Sequence, residues 1–203
     1  MKNCIFLKSN VTIEVTQTWK YWCNKNDVDL IDLDNLSSIT NKVKNYNKIG
    51  VINDNILIKW DAPNIFNLFE EDICGTVDTG DFKKILNNKN QSDEDIDKYL
   101  QTDVLFFNSK YSSIIETVSN NVQLDINNNI NKLNKNPKLL YPCWNLYSIH
   151  IKDMFKHNWQ LNNDPTPFFI KYAYIWNFND IPNHHKDSVV KNVWQNIKEM
   201  YKL

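Results

Sequence analysis

Arginine is absent: the 23 Lys+Arg are all lysine, set against 24 Asp+Glu for a formal net charge of −1. A reader of polyanions concentrates basic residues on one face and uses the arginine fork on phosphate or guanine, so no nucleic-acid interface is expected. A diphosphate asks for less, since a cation and one or two lysines neutralise it. No apolar run approaches the roughly 20 residues that cross a bilayer, so no membrane span is expected. The four cysteines, Cys4, Cys23, Cys74 and Cys143, form no C-x-x-C pair, and no secretory signal pattern precedes them. They are too sparse for a disulfide framework and lack partners at zinc-knuckle spacing, which predicts buried thiols in a reduced, cytoplasmic setting. Internal repeats and a recognisable domain linker are missing too.

What is present is a globular composition, 42% hydrophobic and 13% aromatic over 203 residues, enough for one domain spanning 1–203 that buries most of its apolar surface. The mean hydropathy of −0.53 reflects runs of Asn and Lys, read as surface and loop content.

Cys4-Ile5-Phe6-Leu7 and Val11 to Val15 have the β-branched, partly alternating character of strands. Thr16 to Lys25 is helix-compatible, and Val28 to Leu33 returns to a buried strand, giving a β-α-β opening. One short helix is expected across Ser37 to Val43. Lys48 to Ile52 is an apolar strand that delivers Asn53-Asp54-Asn55 at its C-terminal edge, the usual place for an α/β ligand site. Ile56 to Trp60 resumes β-prone residues, Asp61 before Ala62-Pro63 has the pattern of an N-cap, and Ile65 to Phe69 suggests a helical turn. Further strands are expected at Ile73 to Val77 and Val104 to Phe107, with helices over Asp81 to Leu86 and Ser112 to Val122. Asn87 to Asp97, Asn127-Asn128-Asn129 and Asn134 to Lys138 read as loops or fraying helix ends. Phe168 to Trp176 is the strongest strand signal, and Val190, Val193, Trp194, Ile197, Met200 and Tyr201 recur at helical period in the tail.

Five segments, in order, resemble glycosyltransferase-like proteins of phage and virus type, in the nucleotide-diphospho-sugar transferase class. They are Trp19 to Leu30, Tyr46 to Asn55 with Ile58 to Phe66, Cys74-Gly75, Tyr99 to Asn108, and Phe155 to Phe178. The resemblance covers most of the chain and implies an α/β, Rossmann-like GT-A-type domain with a mostly parallel mixed sheet flanked by helices. It implies transfer of a sugar from a nucleoside diphosphate sugar to a glycan, lipid or protein acceptor, in the cytoplasm of a host cell if the source is viral.

In that family an Asp-x-Asp motif holds a divalent cation, Mn or Mg, that bridges the donor diphosphate. Here the matching positions are Asn53, Asp54 and Asn55, so Asn53 and Asn55 are the residues left to ligate metal, through uncharged carbonyls. If strand alternation continues through this edge, Asp54 points away from both. Donor binding by analogy falls to Asn53, Asp54, Asn55, Trp60, Lys171 and Asn177, and no catalytic residue is assigned. Asn177 and Asp180 stand where the family has a His and a Gly, Asp103 replaces a glycine turn, Val122-Gln123 stands for an Asp-Gln, and the connection from Asp34 to Tyr46 is short. A catalytically inactive descendant that binds a glycan, a nucleotide or a protein is therefore the competing reading.

Simpler roles compete residue by residue. Asn53-Asp54-Asn55 suits a turn, Lys171 an exposed strand face, and Trp60 or Trp159 a core position. His184-His185 chelates poorly as an adjacent pair on a helix, and His150 and His157 read as surface residues.

Overall fold

From Cys4 to Leu7 every residue of the first strand is apolar, which buries both faces of the strand up to the exposed Lys8 that closes it. Cys4 and Phe6 point to one side and Ile5 and Leu7 to the other. The same split recurs at Ile49 and Val51 against Ile52, and at Leu105 and Phe107 against Val104 and Phe106. The result is a sheet with a separate core on each face. The computed structural model describes residues 1–9, 11–34, 36, 39–70, 72–77, 99–116, 118, 121–147 and 171–201.

The elements in chain order are β1 (Cys4–Lys8), α1 (Ile13–Asn26), β2 (Asp29–Leu33), a short α2 (Ile39–Lys42), β3 (Lys48–Ile52), β4 (Ile56–Ile58), β5 (Ile73–Gly75) and β6 (Val104–Asn108). They are followed by α3 (Val122–Lys132), β7 (Lys138–Leu139), β8 (Ile175–Asn177) and α4 (Asn183–Tyr201). Six strands form one sheet in the order β2-β1-β3-β6-β5-β7, while β4 and β8 pair as a separate two-stranded ribbon. Pairing of β1 with β2 and β3 is parallel, as is β5 with β7; β6 runs antiparallel to both β3 and β5. This is an α/β, Rossmann-like mixed sheet with helices on both faces.

Val11 to Val15 is not a strand: α1 starts at Ile13. The buried residues Val15, Thr18, Trp19, Trp22 and Cys23 recur at the helical i, i+3, i+4 spacing, and only a helix brings both indoles to one face. There the Trp19 Nε1–H donates to the Ile56 carbonyl at 2.9 Å and the Trp22 Nε1–H to the Ala62 carbonyl at 3.0 Å. The Thr18 hydroxyl accepts the Ile58 N–H and donates to the Val15 carbonyl, so α1 also satisfies part of the β4 edge. Tertiary packing overrides the strand propensity of this run.

The helix expected over Ser112 to Val122 resolves into a 3-10 segment, Ser109–Ile115, and the separate helix α3, which begins at Val122. Two asparagines set these starts, the Asn108 side chain accepting the Lys110 N–H and the Asn121 side chain that of Leu124. The run Asn127-Asn128-Asn129 is not a loop but the middle of α3, with Asn127 and Asn129 buried. Asn127 acts as a backbone surrogate: its Oδ1 accepts the Leu100 N–H at 2.8 Å, and its Nδ2 donates to the carbonyls of Leu100 and Gln123. The cap expected at Asp61 is instead Asn64, whose Oδ1 accepts the Phe66 N–H.

Of the strand expected from Phe168 to Trp176, only Ile175–Asn177 is extended among the described residues, and Lys171 and Tyr172 are helical. Helix α4 buries Val190, Val193, Trp194 and Ile197 as its spacing predicts. The readings for Asp81 to Asp97, His150, His157, Trp159 and Phe155 to Ile170 lie outside the described residues.

Candidate functional site

Parallel strands end together, so the polar residues at their carboxyl ends gather along one edge of the sheet. Lys8 closes β1, Asp34 comes directly after β2 and Asn53 directly after β3. The chain runs from β1 outward to β2, then crosses back over β1 to β3, so the sheet reverses direction at β1. Helices on either side diverge at such a point and leave a crevice at the carboxyl ends of the strands. A cleft of about 240 Å³ lies there. Leu33, Leu36, Val51, Val122 and Ile126 give it apolar walls, and Lys8, Asp34, Asn53, Thr102, Asp103 and Gln123 supply polar atoms. The first turn of α3 forms one side.

Beside the cleft, a chain of side-chain amides converges on one carboxylate. Asp103 Oδ1 accepts from Asn53 Nδ2 at 2.8 Å. Asp103 Oδ2 accepts from Gln101 Nε2 at 2.8 Å, Asn179 Nδ2 at 3.1 Å and Asn177 Nδ2 at 3.2 Å. Behind them Asn145 Oδ1 accepts a second bond from Asn177, and Asn145 Nδ2 donates to the hydroxyls of Thr76 and Tyr147. Asn145 and Asn177 are wholly buried, which is tolerable only because each amide is partnered. Asn55 joins through Asn179 at 3.3 Å.

Asn53-Asp54-Asn55 forms the bend between β3 and β4, with Asn55 left-handed at φ 56°. Asp54 sits on this bend rather than in a strand, and its Oδ1 lies 3.5 Å from Lys8 Nζ. Asn53, Asn55 and Asn177 therefore meet in one network, whereas Trp60 and Lys171 do not join it. Ile58 pairs with Ile175 and Ile56 with Asn177, so Trp60 and Lys171 lie beyond the other end of the ribbon. There the Lys25 ammonium sits 5.0 Å from the Trp60 ring centroid. The ring centroids of His184 and His185 lie 4.0 Å apart with the planes tilted by 50°, remote in sequence from every cleft residue.

Sequence reasoning overlooked Lys8 and Asp34 and read Asp103 only as a lost glycine. Their common signal is position: each is the polar residue that ends, succeeds or immediately precedes an apolar strand run.

A GT-A-type divalent cation requires hard oxygen donors, usually around six, with carboxylates among them. The donor set is poor for such an ion: Asp103 directs both carboxylate oxygens at amide N–H groups and Asp54 faces a lysine, which leaves the uncharged carbonyls of Asn53 and Asn55, whose nitrogens are the atoms engaged. Among the described residues no group of three His, Cys, Asp or Glu side chains is arranged to hold a metal.

The cysteine thiols are buried. Burial, reinforced by Asp29, pushes Cys23 up to about 12, and burial, reinforced by Asp72, pushes Cys74 up to about 12; burial raises Cys4 and Cys143 as well. Thiols held in that state make poor nucleophiles in neutral solution. No described helix is long and apolar enough to cross a membrane.

No protein-family model and no curated protein matches the chain by sequence. Solved structures do match by shape. A glycosyltransferase involved in the glycosylation of the major capsid of PBCV-1 aligns over 95% of this chain and 100% of its own, with a TM-score of 0.55 and 8% identity. The galactosyltransferase LgtC, solved with donor and acceptor sugar analogues, aligns over 96% of this chain and 95% of its own, with a TM-score of 0.49 and 11% identity. The fold is that of a GT-A-like glycosyltransferase.

Proposed function

We propose that this chain binds a nucleoside diphosphate sugar in the cleft at the ends of β1, β2 and β3 and passes the sugar to a glycan, lipid or protein acceptor. The observation that carries this reading is the cleft itself, an apolar slot with a polar rim at the point where the sheet reverses direction. The likeness of fold to the capsid glycosyltransferase supports the same class of ligand. Leu33, Leu36, Val51, Val122 and Ile126 suit the faces of a nucleobase. Asp34, already accepting from the Ser9 hydroxyl at 2.8 Å, has further acceptor capacity for a ribose hydroxyl. Lys8 and Asn53 then lie toward the diphosphate, and the sugar toward Asp103. In the transfer itself an acceptor oxygen forms a bond to the anomeric carbon as the bond from that carbon to the diphosphate oxygen breaks, and the chain's part is to bind and orient both.

Isothermal titration against UDP- and GDP-sugars, paired with detection of released nucleoside diphosphate in the presence of candidate acceptors, tests the proposal. Binding with turnover is expected. Absence of heat with every donor defeats it.

Binding without transfer is the second reading, favoured by the saturation of Asp103, whose two oxygens already accept four amides. On that reading donors bind, no nucleoside diphosphate is released, and restoring carboxylates with Asn53→Asp and Asn55→Asp creates no activity.

A further inference from the structure

Lys8 is the one lysine lining the cleft among the described residues, and its partner is weakly held. The Nζ stands 3.5 Å from Asp54 Oδ1, beyond a normal charge-assisted hydrogen bond, and the two side chains are 48% and 37% exposed. An ion pair that open to water is worth little, at most about 1 kcal/mol, so a better anion readily displaces Asp54. Asp54 sits on the β3–β4 bend, next to Asn55, and is not among the residues that line the cleft.

The amide cluster has the opposite character. Asp103 is tied to the β3 end, to Gln101 and to the ribbon, and freeing its oxygens for a cation takes an acceptor from the part-buried amides of Asn53, Gln101, Asn177 and Asn179. Each such loss costs about 1 to 3 kcal/mol. Moving one exposed carboxylate off Lys8 is cheaper than dismantling that cluster.

Resting on the reading of the cleft as a nucleoside diphosphate site, we infer that Lys8, released from Asp54, is the cationic partner of the diphosphate, and that its binding needs no divalent cation. Asp54 is then a built-in competitor for the lysine rather than a metal ligand. The first turn of α3, at Val122 and Gln123, adds the positive end of a helix dipole to the same cleft.

Titration of UDP and GDP in EDTA and again in Mn²⁺ tests this, with uridine and guanosine as phosphate-free controls. The expected result is an affinity that differs by less than about twofold between the two buffers. Lys8→Met is expected to weaken the diphosphates by about tenfold or more while leaving the nucleosides unchanged, since a hydrogen bond to a charged group contributes on the order of 1.5 to 3 kcal/mol. Asp54→Asn is expected to tighten the diphosphates. A gain of roughly tenfold on adding Mn²⁺, or a Lys8→Met protein that binds diphosphate like the parent, overturns the inference and leaves the cleft assignment standing. Failure of nucleosides and diphosphates alike in both buffers overturns the cleft assignment and the inference together.

Discussion

Asn53 and Asp103, 50 positions apart, hold each other twice: the Asn53 backbone N–H donates to the Asp103 carbonyl at 2.8 Å, and its side-chain amide donates to Asp103 Oδ1 at 2.8 Å. This double tie fastens the end of β3 to the residue that precedes β6. It also sets the cluster's negative charge on the residue before β6, beside the end of β3.

Removing that charge tests how much of the architecture depends on it. Asp103→Ala leaves the amides of Asn53, Gln101, Asn177 and Asn179 short of an acceptor, and Asn177 is wholly buried. A loss of about 3 kcal/mol is expected by urea denaturation. Asp103→Asn retains one carbonyl acceptor and is expected to lose less. A destabilisation below about 0.5 kcal/mol for the alanine variant contradicts the hub role.

Asn127 predicts a contrast within a single run of identical residues. Its side chain satisfies both the N–H and the carbonyl of buried Leu100, so Asn127→Leu strands two backbone groups at a loss of about 2 to 4 kcal/mol. Asn128, partly exposed on the same helix, is expected to change stability by no more than about 0.5 kcal/mol when replaced by Ala. Chemical denaturation of the two variants side by side measures the difference.

Gly50 admits no side chain. A Cβ built there lies 2.4 Å from Ile5 Cδ1 and 2.9 Å from two Phe106 ring atoms, all on the face shared with α1. Gly50→Ala is expected to destabilise by about 1 to 3 kcal/mol. Ile5→Val removes the nearest atom, so the double variant is expected to recover part of the loss, a positive coupling that a double-mutant cycle reads directly.

The cysteines set a pH dependence. Cys23 and Cys74 are raised from 9.0 to about 12 in the folded chain. Below pH 9 both folded and unfolded chains hold these protons and the thiols contribute no slope. Between 9 and about 12 the unfolded chain releases protons that the folded one keeps, so stability falls as pH rises through that window. Urea midpoints that decline from about pH 9 upward, with native thiols resisting alkylation until the chain unfolds, are the expected signature. Rapid alkylation of all four thiols in the native protein at neutral pH contradicts it.

The strands at Cys4, Lys48 and Val104 were legible because both faces of the sheet are covered there, which makes each mostly an apolar run, whereas Asp29–Leu33 is an edge strand buried only at Leu33 and not the buried strand expected. Val11 to Val15 misled because β-branched residues suit a strand locally, while Trp19 and Trp22 demand a helix through contacts with Ile56 and Ala62 far along the chain. Asn127 and Asn129 were illegible for a different reason: composition marks asparagine as surface, and nothing in the run shows which amides face backbone groups of other elements. At the cleft, Asn53 was legible as the polar residue that follows an apolar strand run. That Asp103 stands beside Asn53 depends on β6 lying antiparallel next to β3, a pairing that local pattern does not encode.

The amide network has a consequence in time. Asn53, Thr76, Asp103, Asn145 and Asn177 come from five stretches of chain, and the last arrives only with β8. Contacts of such separation form late, after local helices and neighbouring strands have assembled. During synthesis, β1, β2 and β3 leave the ribosome well before the residues that complete the polar wall. A nascent chain halted before Ile175 can display the first three strand ends but cannot close the network around Asp103, so completion of the polar edge of the cleft waits on the C-terminal part of the protein.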